Sequence, residues 1–235
     1  MLVLGAFVKG AVAFGFPLVT TPLLSLVVGV QTAIPLLIVP NIVYDVLQLR
    51  YHGGFARVAR RLGVLMLCAM IGTLAGTRLL TSLSGRAATL TLGVFLLIFI
   101  TVNVSRFSPR VPAGGERWLS GPVGLLAGVL TGLTNATSTP LIVYFYALGM
   151  DKQEFVRAIA FSFIVVKTTQ LAAVLYYDLL TPRLLLATAA LTVIGLPSFY
   201  AGLWLQNRLD QQRFNRVLLA FLTLAAVWLI VRSLR

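Results

Sequence analysis

Ionisable side chains deep inside apolar segments are the residues of this sequence best suited to chemistry. Lys167 lies thirteen residues into an apolar run, in FSFIVVKTTQ, too far from either end for its ammonium to reach the membrane surface. A buried charge in a bilayer is costly and usually faces a partner or a polar interior. With Thr168 and Gln170 nearby on the same helix, this lysine is suited to binding an anion. The alternative is an ion pair with Asp45 or Asp178 that only stabilises the helix bundle.

A polar stripe on another apolar segment contains a second buried ionisable group. Asn41, Asp45 and Gln48, in PNIVYDVLQ, are spaced so that they share one helix face. We expect this face to point into the protein, where Asn41 could contact the substrate and Asp45 could carry a coupling proton. Hydrogen bonding of the two amides to neighbouring helices is an equal alternative. Lys9 is a further candidate, but it is only about eight residues from Met1 and could snorkel to the membrane surface, so we rank it below Lys167.

Two interrupted apolar segments supply hydroxyl and amide groups. The stretch GFPLVTTP at residues 15–22 has a counterpart, GLTNATSTP, at residues 132–140. A helix break in lipid leaves backbone groups unpaired, at a cost of several kcal/mol each, unless protein or water satisfies them. We expect helix N-termini after Pro22 and Pro140, with their positive dipole ends directed at a bound anion. The candidate binding residues at these breaks are Thr20, Thr21, Asn135, Thr137, Ser138 and Thr139.

An internal duplication favours a transport site at these breaks over simple proline kinks, whose hydroxyls would bond back to their own helix. An offset of 118 residues places Gly10 on Gly128 and the first Thr-Pro pair on the second. An offset of 126 residues places Gly76 on Gly202. The sequence therefore predicts a first membrane repeat, a polar linker and a second membrane repeat, at residues 1–104, 105–118 and 119–235.

The elements that must position these groups are apolar helices. Of the 235 residues, 59% are hydrophobic and 11% are charged, a composition typical of an all-α polytopic membrane protein. Each predicted repeat contains four hydrophobic segments, the first of them broken or re-entrant. The approximate segments are residues 2–29, 31–50, 62–81, 87–104, 119–148, 155–177, 183–206 and 214–234. The first segment is longer than a signal-peptide core and has no basic leader, so we expect it to be retained.

The positive charges indicate whether the first segment of each repeat crosses the membrane. If all eight segments cross, the 17 Lys and Arg residues other than Lys9 and Lys167 divide ten to seven between the two sides. If the first and fifth segments instead enter and return on one side, the division is twelve to five. The second arrangement fits the positive-inside rule better, and its three crossings per repeat make the repeats inverted, with both termini outside the cytoplasm. Eight tilted or broken crossings are the alternative.

The sequence also argues against several other classes of protein. The net charge of +13 lies mostly at segment ends and not in a basic stripe with interleaved aromatics, so nucleic-acid binding is not expected. One cysteine and one histidine, Cys68 and His52, allow neither an intrachain disulfide nor a Cys/His metal cluster, and no cofactor is expected. The sequence lacks GxxxxGK[ST], HExxH and a paired acidic hydrolase motif. An enzyme or an ATP-driven pump is therefore not expected.

The repeated Thr-Pro breaks, with Asn41 in VPNIV and Lys167 in VVKTT, resemble the sulfite exporter TauE/SafE family over nearly the whole chain. The resemblance implies a multi-pass permease of a bacterial inner membrane that moves sulfite, a sulfonate or a related organic anion. Family members often carry a richer glycine run at the first break, so the resemblance bears on architecture more than on substrate. We expect a secondary transporter whose partners are a small anion, the lipid bilayer and a coupling proton or other ion. A non-transporting scaffold or energy-coupling subunit, and a channel, are the alternatives.

Overall fold

The chain is built from helices. Its structure, a computed structural model, describes residues 1–52, 55–104, 111–112, 114–135 and 138–206. Those residues form ten helices and no strand, which confirms the predicted all-α class. The helices are α1 (Leu2–Val12), α2 (Phe16–Val28), α3 (Val30–His52), α4 (Phe55–Arg61), α5 (Gly63–Ser82), α6 (Gly85–Val104), α7 (Gly115–Thr134), α8 (Ser138–Ala147), α9 (Lys152–Tyr176) and α10 (Pro182–Gln206). The eighth predicted segment, residues 214–234, lies outside the described residues.

Four of these helices are long and apolar enough to cross a membrane. They cover Val30–Tyr51, Gly63–Ser82, Gln153–Tyr176 and Pro182–Gln206. They contain 20 to 25 residues each, and a helix of 20 residues is about 30 Å long, the thickness of the hydrocarbon core. The shorter apolar helices are Leu2–Val12, Phe16–Val28 and Gly85–Ile98. The length and composition of these helices are those of a membrane protein.

The first apolar segment is broken, but earlier than predicted. A short connection at residues 13–15 separates α1 from α2, which begins at Phe16. Ala13 and Gly15 have positive φ angles of 71° and 106°, in the left-handed region, so the right-handed helix α1 cannot continue through them. Pro22, after which the sequence predicts a helix N-terminus, instead lies inside α2. The break therefore includes Gly15 of the predicted stretch 15–22, but the helix N-terminus predicted after Pro22 is wrong.

The positions of two prolines explain where α2 begins. Pro17 is the second residue of the helix, where the missing N–H has no consequence because the first turn has no intrahelical acceptors for its N–H groups. Pro22 removes one internal hydrogen bond, a loss that membrane helices tolerate when neighbouring groups compensate. Thr20 and Thr21 therefore lie in a helical turn between the prolines, and not at the break itself.

The second break lies within its predicted stretch. α7 ends at Thr134, and Asn135 follows it in the left-handed conformation, with φ of 62°. Asparagine adopts this conformation more readily than most residues because its short polar side chain can bond locally. α8 begins at Ser138, two residues before Pro140, so the helix N-terminus predicted after Pro140 is wrong. Asn135 is therefore the residue at which the chain leaves α7.

Glycines bring two pairs of helices into backbone contact. α1 packs against α10 and α5 packs against α7, and these are the two most extensive helix contacts. A Cβ atom built on Gly10 would collide with the carbonyl of Phe199 on α10. One built on Gly128 would collide in the same way with the carbonyl of Ala69 on α5. Only glycine lets the backbones approach so closely at these positions.

α3 and α9 occupy the middle of the bundle. They pack against each other, and each also contacts helices from both halves of the chain. The neighbours of α3 are α1, α2, α6, α9 and α10, and those of α9 are α3, α4, α5, α7 and α8. Because polar side chains on these two helices are enclosed by apolar neighbours, α3 and α9 are the elements that position the candidate site.

A polar cluster joins three helix ends at the surface. α7 begins at Gly115, so the last residues of the predicted linker at 105–118 are helical. Arg61 at the end of α4 binds both carboxylate oxygens of Glu116, with N–O distances of 2.8 and 3.0 Å, and also pairs with Glu154 on α9. Hydrogen bonding to Glu116 raises the pKa of Arg61 above its ordinary value. Arg61 therefore stays charged at neutral pH, and we call it with Glu116 and Glu154 the Arg61 cluster.

Candidate functional site

The first buried lysine is part of an ion pair. The Lys9 ammonium on α1 bonds to the Asp45 carboxylate on α3, and both side chains are fully buried. It also donates to the carbonyl of Ala13, 2.8 Å away at the α1–α2 break, and lies 4.8 Å from the ring centroid of Phe163. Lys9 therefore does not snorkel to the membrane surface. Asp45 supplies a charged partner inside the helix bundle instead.

The second buried lysine has only neutral oxygens around it. Lys167 on α9 is fully buried, and its ammonium donates to three acceptors. They are the carbonyl of Asn135 at 3.0 Å, the side-chain oxygen of Asn135, and the side-chain oxygen of Gln170 at 2.9 Å. Within the described part of the chain no carboxylate lies within 4 Å of this ammonium. The ion pair with Asp45 or Asp178, considered above as a purely structural role for Lys167, is not formed there.

Hydrogen bonds extend this second cluster to two other helices. The Gln170 amide donates to the carbonyl of Thr131 on α7, at 2.9 Å. The Asn135 amide donates to the hydroxyl of Thr21 on α2, at 3.1 Å. Because Asn135 faces Lys167 with its carbonyl and its side-chain oxygen, the left-handed turn at the second break directs both acceptors at one ammonium. Four of the predicted site residues are thus brought together: Thr21, Asn135, Lys167 and Gln170.

The polar stripe of α3 is buried as predicted. Asn41, Asp45 and Gln48 are all fully buried. Neither amide makes a hydrogen bond through its side chain within the described residues, and the second carboxylate oxygen of Asp45 also has no partner there. The predicted alternative, in which these amides bond to neighbouring helices, is therefore not seen in the described part of the chain. Unpartnered buried amides are costly, so these groups are suited to contacting water or a ligand.

The two lysine clusters are electrostatically connected. Asp45 interacts with Lys167 as well as with Lys9, and the two lysines repel each other. Among the side chains that the structure describes, these three are the only fully buried Lys, Arg, Asp or Glu residues. Two positive charges and one negative charge therefore share the interior, and the set has an excess of one positive charge.

The remaining predicted site residues lie in different surroundings. Thr20 is buried, but its hydroxyl donates to the Phe16 carbonyl of its own helix. Ser138 and Thr139 begin α8, and their side chains lie outside what the structure describes. Thr137 lies outside the described residues altogether. Thr168, which the sequence places near Lys167, is exposed and bonds back to α9, so it is not part of the cluster.

The pairing of Lys9 with Asp45 is not apparent from the sequence. The available signal was the opposite charge of Asp45 in the next long apolar segment, but nothing local to either residue indicates that they meet. Among the described residues no group of three or more His, Cys, Asp or Glu side chains could hold a metal ion. The site is therefore best described by its ammonium, amide and hydroxyl donors.

Comparison with known proteins identifies the family to which the chain belongs. A family model described as sulfite exporter TauE/SafE matches residues 1–229 of the 235-residue chain. Neither the curated proteins nor the solved structures gave a match. The matched range contains α1 to α10 and both lysine clusters, and it covers almost the entire chain. The chain belongs to the sulfite exporter TauE/SafE family of membrane transporters.

Proposed function

We propose that this protein is a secondary transporter of a small sulfur-containing anion, which it binds at Lys167 and the break after α7. The observation that carries the proposal is the ligation of the fully buried Lys167 by three neutral oxygens. A cation in an apolar interior is stabilised far more by a negative charge than by dipoles alone. An anion that displaces one of these oxygens would supply that charge.

The surrounding groups suit an oxyanion. Asn135 and Gln170 offer amide donors next to the ammonium, and Thr21 offers a hydroxyl. The N-terminus of α8 follows Asn135 closely, and its unpaired N–H groups and positive dipole end favour negative charge. Sulfite and sulfonates present several oxygens around one sulfur, so they can accept bonds from several donors at once. Ser138 and Thr139 at the start of α8, together with Thr137, complete the proposed binding set.

The two amides on α3 extend this proposal. Asn41 and Gln48 are buried without hydrogen-bond partners among the described residues, and they lie on the helix that packs against α9. Asn41 is proposed to contact the anion from the side opposite α7. Asp45 is the fully buried carboxylate among the described residues, so it is the proposed site for a coupling proton.

The proposed architecture is two inverted repeats in a bacterial inner membrane. The helix contacts support the repeats. α1 of the first half packs against α10 of the second, and α7 of the second half packs against α5 of the first, so each contact joins one half to the other. Gly10 and Gly128 are equivalent at the offset of 118 residues, and each meets the partner helix by its backbone. Broken first segments in both halves agree with re-entrant entry, and discontinuous helices of this kind form binding sites in many transporters.

Transport by purified protein tests this proposal. Proteoliposomes containing the wild type should take up labelled methanesulfonate or sulfite with saturable kinetics. Lys167→Met should lower uptake by about 100-fold or more, because a charge at hydrogen-bond distance from the substrate is lost. Thr168→Val, a change at the exposed neighbouring position on α9, is the matched control and should keep wild-type uptake.

The outcomes separate the alternatives. Folding of each variant is checked by size-exclusion profile and thermal unfolding in detergent. If folded wild type moves no anion in the panel, the scaffold or energy-coupling role replaces the proposal. Uptake that never saturates would indicate a channel. Equal uptake by Lys167→Met and Thr168→Val would remove Lys167 from the binding site.

A further inference from the structure

The three buried charged residues have a net charge, and this net charge bears on the valence of the anion that the site prefers. Lys9, Asp45 and Lys167 are each fully buried, and no other Lys, Arg, Asp or Glu side chain that the structure describes is. Resting on the anion transport proposed above, we infer that the site is matched to a singly charged anion. It discriminates against a doubly charged anion of the same shape.

The hydrogen-bond geometry favours the ammonium form of both lysines. An ammonium has three N–H donors and no acceptor, whereas a neutral amine would turn a lone pair toward one of its neighbours. Lys167 has three oxygen acceptors around its nitrogen. Lys9 has a carboxylate oxygen, the carbonyl of Ala13 and the face of the Phe163 ring. Every neighbour of either nitrogen is therefore an acceptor or a π-face, and the direct contact with Lys9 marks Asp45 as ionised.

The net charge of the set then decides the preferred ligand. Two cations and one anion leave one positive charge, which a monovalent anion neutralises. A divalent anion would leave one uncompensated negative charge in an apolar interior, which is costly. Lys9 pairs with Asp45 and lies over the ring of Phe163, about one helical turn before Lys167 on α9, so the three charges share one interior and act as one set. One unit of charge at about 10 Å changes affinity on the order of tenfold at the effective dielectric constant of a protein interior.

This argument narrows the substrate class. The site takes a sulfur oxyanion in its singly charged form, such as a monosulfonate or hydrogensulfite, in preference to a dianion such as sulfate. The occupied interior is then electrically neutral, while the empty one carries the single excess positive charge. The Asn135, Gln170 and Thr21 side chains supply the donors and acceptors, and the charge balance sets the valence.

Methanesulfonate and sulfate test the inference because they are tetrahedral sulfur oxyanions that differ by one charge. Their affinities are measured by thermal shift of purified protein in detergent and by competition against labelled methanesulfonate in proteoliposomes. Wild type should prefer methanesulfonate by at least about tenfold. Asp45→Asn raises the charge of the set by one unit and should shift that ratio toward sulfate by at least about tenfold. Lys9→Met/Asp45→Asn removes one charge of each sign and should return the ratio to the wild-type value.

The double variant keeps the test decisive if Asp45→Asn fails to fold, because it removes Lys9 and Asp45 together and leaves neither of them without its partner. A double variant that binds anions without valence preference would overturn the inference. The same holds if Asp45→Asn folds and keeps the wild-type ratio. Wild type that binds both anions equally overturns the inference and leaves anion transport standing. Folded wild type that neither binds nor moves either anion defeats the proposed function itself.

Discussion

The two buried lysines have the same side chain and opposite environments. Lys9 has its charge compensated by Asp45, while Lys167 is held by the neutral oxygens of Asn135 and Gln170. A compensated lysine contributes to the packing of α1 against α3, and its removal leaves an unpaired carboxylate. An uncompensated lysine keeps its attraction for a negative charge that the chain does not supply. The difference teaches that burial alone does not mark a binding residue; the charge of its neighbours does.

The largest expected effect is on stability, and it separates the two lysines directly. Lys9→Met leaves Asp45 buried and unpaired, so the free energy of unfolding should fall by about 3–5 kcal/mol. Lys167→Met leaves only neutral oxygens without a donor, at a cost of about 1–3 kcal/mol. Thermal unfolding in detergent ranks the variants, and Lys9→Met/Asp45→Asn should recover most of the loss. Equal losses for the two single variants would contradict the comparison.

A substitution that makes the second cluster resemble the first is the next test. Asn135→Asp places a carboxylate beside Lys167 and keeps a residue that tolerates the left-handed turn. The new ion pair should lower the kcat/KM of methanesulfonate uptake by at least about 30-fold, or about 2 kcal/mol. Asn135→Gly keeps the turn and the carbonyl without adding a charge, so it should lose much less. Similar activity of the two variants would show that the charge balance at Lys167 is unimportant.

The backbone contacts next to the two clusters should behave alike. Gly10 and Gly128 each meet the carbonyl of a partner helix, so an added methyl group forces both interfaces apart. Gly10→Ala and Gly128→Ala should each lower stability by about 1–2 kcal/mol. Gly63→Ala is the control, because a Cβ there meets nothing within 4 Å. A large difference between Gly10→Ala and Gly128→Ala in thermal unfolding would mean that the two interfaces are not equivalent.

The smallest effect is expected at the Arg61 cluster, an ion pair in solvent that contrasts with the buried one. Arg61 is 37% exposed, so Arg61→Ala should cost less than about 1 kcal/mol. Salt screens exposed charges, and the cost should decrease further at high ionic strength. Thermal unfolding at low and high salt measures this. A loss as large as that of Lys9→Met, or one that salt does not change, would contradict the assignment of this cluster to the surface.

Helix content is predictable here because the bilayer leaves few choices. A chain that crosses lipid must satisfy its own backbone hydrogen bonds, so long apolar runs become helices whatever their detailed sequence. The four long helices coincide closely with predicted segments, and the interruption around Asn135 is found within its predicted stretch. The burial of Lys167 is predictable for the same reason. Its position in the apolar run places it far along the helix from either membrane surface.

The first break and the role of Lys9 are not predictable in the same way. Pro22 is the stronger helix breaker by rule, but Gly15 with Pro17 closely after it provides both the left-handed turn and the start of a helix. The short distance from Met1, taken alone, predicts that Lys9 can reach the membrane surface. Its pairing with Asp45, 36 residues away, depends on how α1 packs against α3, which no local pattern encodes.

The exchange of partners between α1, α5, α7 and α10 has a consequence for biosynthesis. α5 is synthesised before α7, and α1 before α10, so each of these early helices leaves the ribosome without the helix it will contact most. The small-residue surfaces around Gly10 and Gly76 therefore face lipid until the later helices are inserted and pack against them. Two fragments separated within residues 105–110 would each lack their main packing partner. They would reach the native arrangement only by assembling with each other.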